Sequence, residues 1–323
     1  MEWMRTQENV RQMNAPIALF VYNRPEHTRR VLEKLRNNEL ANESILYVFC
    51  DGPRKDASDE ELKKIQEVRE IARSEKWCKE VIVRAEKANK GVNNSIIDGI
   101  TEIVNSHSKI IVVEDDILTS KYFLRFMNDA LNKYENEEKI MAVSGYWFPV
   151  NTDVMHPFFL CTGVGWGWGT WGSAWNKYIR DIEFLINEID KNKLVRKFNR
   201  EDSYDFFGLL KAHQKGLVSG WDVAWYACIF LSDGIALFPP RSFTINIGVD
   251  GSGTHFSNAT SQFSHPPGYL EGIDKDGYHI KFPESIEPDE ITGRKMNAYL
   301  KNSDRIGLLK RIGIKIREAV KKL

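Results

Sequence analysis

At 323 residues the chain can form one large domain or two ordinary ones, and its 42 % apolar content is that of a soluble globular protein. The 45 basic and 45 acidic side chains cancel, but Arg305–Leu323 holds seven Lys/Arg against one Glu, leaving 38 basic and 44 acidic residues in the rest. A neutral to slightly acidic body with a basic tail argues against a protein built to coat nucleic acid. Cys50, Cys78, Cys161 and Cys228 form no CxxC pair and no metal-ligand spacing, so buried free thiols in a reducing compartment are expected. Met1–Asn14 lacks the apolar core of a secretory signal, and the apolar stretch Gly216–Phe238 is broken by Asp222 and Asp233, which argues against a membrane span. The expectation is a cytoplasmic protein.

In chain order, Ile17–Tyr22 reads as a β-strand, and His27–Asn38 follows with Val31, Leu32 and Leu35 at helical spacing. Ser44–Cys50 is a second strand ending in the turn Asp51-Gly52-Pro53. Asp59–Glu75 is a charged helix with Leu62, Ile65, Val68, Ile71 and Ala72 on one face. Val81–Val83 is a third strand, Val92–Val104 a third helix, and Ile110–Val113 a fourth strand. A helix from about Lys121 to Tyr134 and a strand near Met141–Ser144 complete the alternation, with no hairpin signal. Such alternation predicts right-handed crossovers and an α/β fold with a mostly parallel sheet flanked by helices. Beyond residue 150, aromatics and glycines replace the clean pattern, and this half is expected to pack on the first.

Ligands of open parallel sheets bind beyond the carboxyl ends of the strands. The polar residues there are Asn23-Arg24, Asp51-Gly52, Glu86–Gly91 with Asn89, and the triplet Glu114-Asp115-Asp116, and they should converge on one crevice. Three successive acids at a buried strand end repel one another and lose hydration unless a cation or polar ligand holds them. A divalent-metal and nucleotide site is the leading reading, and a loop of solvated acids the bland one. A cation held by a strand-end carboxylate keeps waters and is completed by phosphates, which suits Mg²⁺ or Mn²⁺.

No GxxxxGK[ST] occurs. Gly167, Gly169 and Gly172 form a literal GxGxxG, but it threads through Trp166, Trp168 and Trp171 with no clear preceding strand or following helix, and it is rejected as a dinucleotide fingerprint. The run Thr162–Trp175 offers either flat indole faces for sugars or a packed aromatic core. In Ser219–Trp225, Asp222 sits among apolar residues; it is either a carboxylate with an upward-shifted pKa, suited to a general base, or a helix cap. His255, in the glycine-rich stretch Asn246–His255, either reaches a metal or phosphate or faces solvent.

Taken in order, these pieces resemble a nucleotide-sugar glycosyltransferase of the GT-A (Rossmann-like) fold. The similarity is to the Golgi N-acetylglucosaminyltransferase I-like family and related bacterial sugar transferases, over roughly Pro16–Phe256. It rests on Tyr22-Asn-Arg24-Pro, Asp51, Glu114-Asp-Asp116, Ala142-Val-Ser-Gly145, Gly163-Val-Gly-Trp166, Gly220-Trp-Asp222 and Pro240-Arg-Ser-Phe-Thr244. The resemblance implies that Arg24 and Asp51 help hold the nucleotide, that Asp115 faces the ribose or sugar, that Asp116 binds the metal with His255 aimed at the metal or diphosphate, and that Asp222 is the base. Asn89, Glu114 and Trp166 are placed with the donor-binding residues, Glu114 without a firm role of its own. Val223 departs from the family, which carries a second acid there. The implied reaction is a metal-dependent inverting transfer from a nucleoside-diphosphate sugar, UDP-linked by expectation, to a hydroxyl of a glycan or lipid-linked saccharide, as in surface polysaccharide synthesis. Divided accordingly, residues 1–15 are an extension, 16–150 the nucleotide-sugar-binding half, 151–260 the acceptor and catalytic half of the same domain, 261–303 a loop-rich region and 304–323 a basic helix.

In that last segment Ile306, Leu309, Ile312, Ile316, Val320 and Leu323 share a helical face, with basic residues around the rest. It suits an anionic membrane surface, which would make the protein peripheral on the inner face, or docking on the body or a partner chain. Two rival classes use the same residues: a metal-dependent nucleotide-sugar phosphohydrolase or nucleotidyltransferase, and a non-catalytic carbohydrate-binding protein.

Overall fold

The computed structural model describes residues 13–248 and 263–302. Strands β1 (Ile17–Val21), β2 (Ile45–Cys50), β3 (Glu80–Ala85) and β4 (Lys109–Glu114) alternate with helices α1 (Pro25–Arg36), α2 (Asp59–Ser74) and α3 (Val92–His107). β1 is buried along its whole length, and β4 up to Val113, as continuous Ile/Val-rich runs require when helices cover both faces of a sheet. Pro25 occupies the first turn of α1, where its missing N–H costs nothing, and Val31, Leu32 and Leu35 then face the core. Ser58 caps α2 by accepting from Glu61 N at 3.2 Å, with three acids in the first turn favoured by the helix dipole.

The rest of the chain supplies β5 (Ile117–Thr119), α4 (Phe123–Lys133), β6 (Ile140–Ser144), β7 (Phe158–Leu160), β8 (Trp168–Trp171), α5 (Gly172–Trp175), α6 (Ile182–Lys191), α7 (Val195–Phe198), α8 (Phe206–Gln214), α9 (Trp221–Leu231), β9 (Ile235–Phe238), β10 (Thr244–Asn246) and α10 (Tyr269–Asp276). The main sheet has eight strands in the order β3-β2-β1-β4-β8-β6-β9-β7, and β10 pairs with β5 in a separate ribbon. β8 runs antiparallel to both β4 and β6, β7 antiparallel to β9, and the other neighbours are parallel. The sheet is thus mostly parallel, as expected, but two strands from the second half run against it. They return from long excursions, so their pairing needs no hairpin and leaves no turn signal.

β8 corrects the reading of the tryptophan-glycine run. A strand passes through the GxGxxG stretch and a short helix opens at Gly172, so the glycines do not form a loop beyond a strand end. Trp168, Trp171 and Trp175 are 1 %, 4 % and 3 % exposed, and Trp168 and Trp171 point into the two cores on opposite faces of the sheet. For these three the aromatic-core alternative holds. The region 261–303 holds more helix than its loop-rich composition suggests. Besides α10, residues 290–302 are helical, with Thr292, Met296 and Leu300 buried four apart.

Cys50, Cys78 and Cys228 are buried free thiols and Cys161 is half-buried. No described helix is long and apolar enough to cross a membrane. The basic segment 304–323 lies outside the described residues.

Candidate active site at the strand ends

Because β3, β2, β1 and β4 are adjacent and parallel, their carboxyl ends share one edge, and the ends of β2 and β4 stand about 10 Å apart across β1. Asp51, immediately after β2, is buried and turned inward. Its Oδ1 accepts from Gly52 N at 2.8 Å and Lys90 N at 2.9 Å, and its Oδ2 from Asn89 Nδ2 at 3.0 Å and Gly91 N at 3.1 Å. Asn89 also donates to Gly52 O at 3.1 Å. Gly52 is required here, since a Cβ would lie 2.4 Å from the Ala88 carbonyl carbon. Asp51 and Asn89 therefore clamp the loop after β3 to the end of β2.

The acidic triplet divides at the end of β4. Alternation along the strand puts Glu114 on the same side as Val112, toward the core under α3 and α9, and Asp115 on the side of Val113, toward α1. Arg24, the residue before α1, donates through Nε to Asp115 Oδ2 at 3.2 Å and through Nη2 to Asp115 Oδ1 and, at 3.2 Å, to Asp116 Oδ2. Nη1 of Arg24 is buried and finds no hydrogen-bond partner among the described residues. Burial would weaken the Arg24 cation, but Asp115 and Asp116 raise its pKa. Burial pushes the Asp115 carboxyl above its ordinary range despite Arg24, with Asp116 adding to the rise and His27 opposing it. Glu114, half-buried, is raised well above the usual carboxylate range by burial first, then by Asp116, Asp115 and Asp222, with Arg24 opposing. Among the described residues, three carboxylates act on Glu114 against the Arg24 guanidinium, and His27 adds positive charge beside Asp115.

The Asp222 charge that reaches Glu114 comes from the first turn of α9. Sequence reasoning expected either an enclosed carboxylate with a raised pKa or a helix cap. Asp222 is exposed, between buried Trp221 and Val223, so enclosure does not govern it. Its Oδ1 accepts from Val223 N at 2.9 Å, but the N-cap residue is Gly220, and the N–H groups of Gly220 and Trp221 donate to Asn93 Oδ1 at 3.3 and 3.2 Å. Asn93 was not found from sequence, because it reads as part of its own helix and its partners lie more than 120 positions along the chain. His27, one turn into α1, was likewise missed.

Trp166 precedes β8 with φ of 55°, half-buried, its ring edge-on to Tyr146 at 4.7 Å and its carbonyl accepting from Thr244 Oγ1 at 2.7 Å. Asp116 O accepts from Ile247 N at 2.8 Å beyond the β5–β10 ribbon. His255 lies outside the described residues. Among the described residues no group of three or more His, Cys, Asp or Glu side chains is arranged to hold a metal ion. The donor set nevertheless fits a hard cation completed by waters and phosphates: oxygen ligands, a partly exposed Asp116 carboxylate and an excess of negative charge. A cavity of about 370 Å³ lies elsewhere, beside edge strand β3, lined by Arg73, Glu75, Lys76 and Val81 among others.

No protein-family model and no curated protein sequence matches the chain. Solved structures are similar at low identity. S. aureus TarS 1-349 aligns with TM-score 0.38 and 11 % identity over 71 % of this chain and 59 % of that one. The same TarS region in complex with UDP gives TM-score 0.37 and 11 % identity over the same shares. Mouse xyloside xylosyltransferase 1, in its apo form, gives 0.35 and 9 % over 63 % of this chain and 83 % of that one. The chain thus spans less than two thirds of the TarS region it matches.

Proposed function

We propose that the chain is a metal-dependent inverting glycosyltransferase that moves a sugar from a nucleoside-diphosphate sugar, UDP-linked in the first instance, to a hydroxyl of a glycan or lipid-linked saccharide. The observation that carries this reading is the meeting of Arg24, Glu114, Asp115, Asp116 and the charge of Asp222 at one edge, from three separate parts of the chain. The ordered motifs that resemble the N-acetylglucosaminyltransferase I-like family support it.

Asp116, with His255 as a candidate partner, would hold Mn²⁺ or Mg²⁺. When bound, the cation neutralises charge on the departing diphosphate. Arg24 adds a fixed guanidinium beside that charge, and the clamp of Asp51 and Asn89 shapes the nucleotide side of the crevice. Asp115 faces the ribose or sugar, Glu114 lines the donor side, and Trp166 offers a ring edge to the donor. Asp222, exposed in the first turn of α9 with its charge reaching Glu114, accepts the proton of the acceptor hydroxyl as its oxygen bonds the anomeric carbon and the bond to the diphosphate breaks. A single displacement of this kind inverts the anomeric centre.

Calorimetric titration with UDP and a panel of UDP-sugars, with and without Mn²⁺, followed by product analysis with saccharide acceptors, tests the reading. UDP should bind only with the cation, and Asp116→Ala should abolish that binding. Equal turnover of the nucleotide-sugar without any acceptor would instead identify a phosphohydrolase, and glycan binding indifferent to nucleotide and metal a carbohydrate-binding protein.

A further inference from the structure

We propose that Asn93 is a positioning residue that sets the place of the Asp222 carboxylate and ties it to the Asp51 side of the crevice; the catalytic part of this inference rests on the transferase reading above. α9 begins at a residue, Gly220, with no side chain to cap the helix. The first N–H groups of a helix have no partner within it, and an unmet donor in a half-buried position costs free energy. One oxygen on another helix meets them. Asn93 Oδ1 accepts from Ser219 Oγ at 2.8 Å, Gly220 N at 3.3 Å and Trp221 N at 3.2 Å, the three residues immediately before Asp222.

The far side of the same turn is fixed by packing. A Cβ on Gly220 would lie 2.8 Å from Cβ and Cγ of His213, so the backbone there rests against α8 while Asn93 holds it from α3. With Trp221 buried and stacked on Trp168 at 5.5 Å, the start of α9 has little freedom to move.

Asn93 is itself placed from the end of β2. It is the second residue of α3, whose N-cap is Gly91. Asp51 accepts from both Lys90 N and Gly91 N, fixing the two residues that lead into the helix. A continuous path of hydrogen bonds and short chain therefore runs from Asp51 at the end of β2, through residues 90–93, to the turn that carries Asp222. The loop held by Asp51 and the turn that carries Asp222 are set by one brace, so the place of the base does not depend on the exposed Asp222 side chain alone. Displacement of a reacting group by about 1 Å costs on the order of 10²-fold in rate.

All three contacts use Oδ1 as acceptor, which an aspartate reproduces and an alanine does not. Asn93→Ala should lower kcat about 10–100-fold with donor KM and UDP affinity unchanged, and Asn93→Asp should stay within about threefold of wild type. If Asn93 acts through Asp222, Asn93→Ala introduced into Asp222→Asn should cost little more, whereas a merely structural role costs the same in both backgrounds. Hydrogen exchange gives a readout independent of catalysis. The Gly220 and Trp221 amides should exchange faster in Asn93→Ala and at the wild-type rate in Asn93→Asp. Unchanged exchange in Asn93→Ala overturns the brace whatever the reaction is. Faster exchange with full additivity in the double variant overturns the link to Asp222. Absence of any transfer by the wild-type protein sinks the transferase reading while leaving the exchange result to decide the brace.

Discussion

The ends of β2 and β4 carry acids that spend their charge in opposite ways. Asp51 has both oxygens occupied by four donors of its own chain and is locked into architecture. Across β1, Arg24 pairs with both Asp115 and Asp116; Glu114 is raised by burial and then by Asp116, Asp115 and Asp222, and Asp115 by burial and Asp116, with Arg24 and His27 opposing. In sequence both are acids that close a strand. The difference lies in what the fold gives them: a saturated carboxylate builds a wall, and an undercompensated group waits for a cation or a proton.

The largest effect that would sharpen this contrast is expected at Asp222. Asp222→Asn removes the proton acceptor and the charge that reaches Glu114, while keeping the side chain's shape and, through Oδ1, its contact with Val223 N. Transfer should fall about 10²–10⁴-fold with UDP affinity unchanged and Tm not lowered. An Asp222→Asn protein with wild-type turnover would sink the assignment of the base.

At Asp51 the expected loss is of stability. Asp51→Ala leaves the Gly52, Lys90 and Gly91 N–H groups without their acceptor, at about 3 kcal/mol, or roughly 4 °C in Tm for a chain of this size. Weaker UDP binding should follow only as far as the loop is loosened. A variant with normal Tm and no UDP binding would break the comparison and make Asp51 a direct ligand.

The half of the sheet that holds Asp51 was open to sequence reasoning, because its strands are short Ile/Val runs ending in turn residues and its helices carry apolar residues at 3.6 spacing. The strand ends and their convergence followed from that alternation. β8 was hidden because Trp168-Gly169-Thr170-Trp171 is buried on both faces, so no alternation of polar and apolar marks it, and its neighbours β4 and β6 are distant in the chain. Asn93 was hidden for a related reason: a side chain that caps a helix from another element leaves no motif around itself. Asp222 was legible as an acid at a helix start, but its exposure was not, since the apolar residues beside it face the core while it faces out.

Arg24→Ala tests how much of the acid edge one guanidinium holds. It leaves Asp115, 5 % exposed, without its ion pair, and the cost should be about 2 kcal/mol, below that of a fully buried pair because Arg24 retains some exposure and Asp115 can take up a proton. Arg24→Lys should recover part of it, lacking the two-pronged contact. Loss of UDP affinity without loss of stability would show that Arg24 serves the ligand more than the fold.

The smallest effect runs in the opposite direction, as an undercompensated site requires. A carboxyl whose pKa is raised on folding keeps its proton in the folded chain at pH values where the unfolded chain has lost it. The stability Glu114 contributes is therefore present below its ordinary value of 4.5 and is lost as pH rises through the raised value. Glu114→Gln, which keeps the shape and cannot ionise, should then be more stable than wild type at pH 7 in the presence of a chelator, with a higher Tm, and the two should converge near pH 4. Asp51 offers the control. Its carboxylate is met by four donors, so Asp51→Asn should lower Tm at pH 7 rather than raise it. Opposite signs at the two strand ends are what the contrast demands, and a loss of stability in both variants would mean that the acids after β4 are as fully compensated as the one after β2.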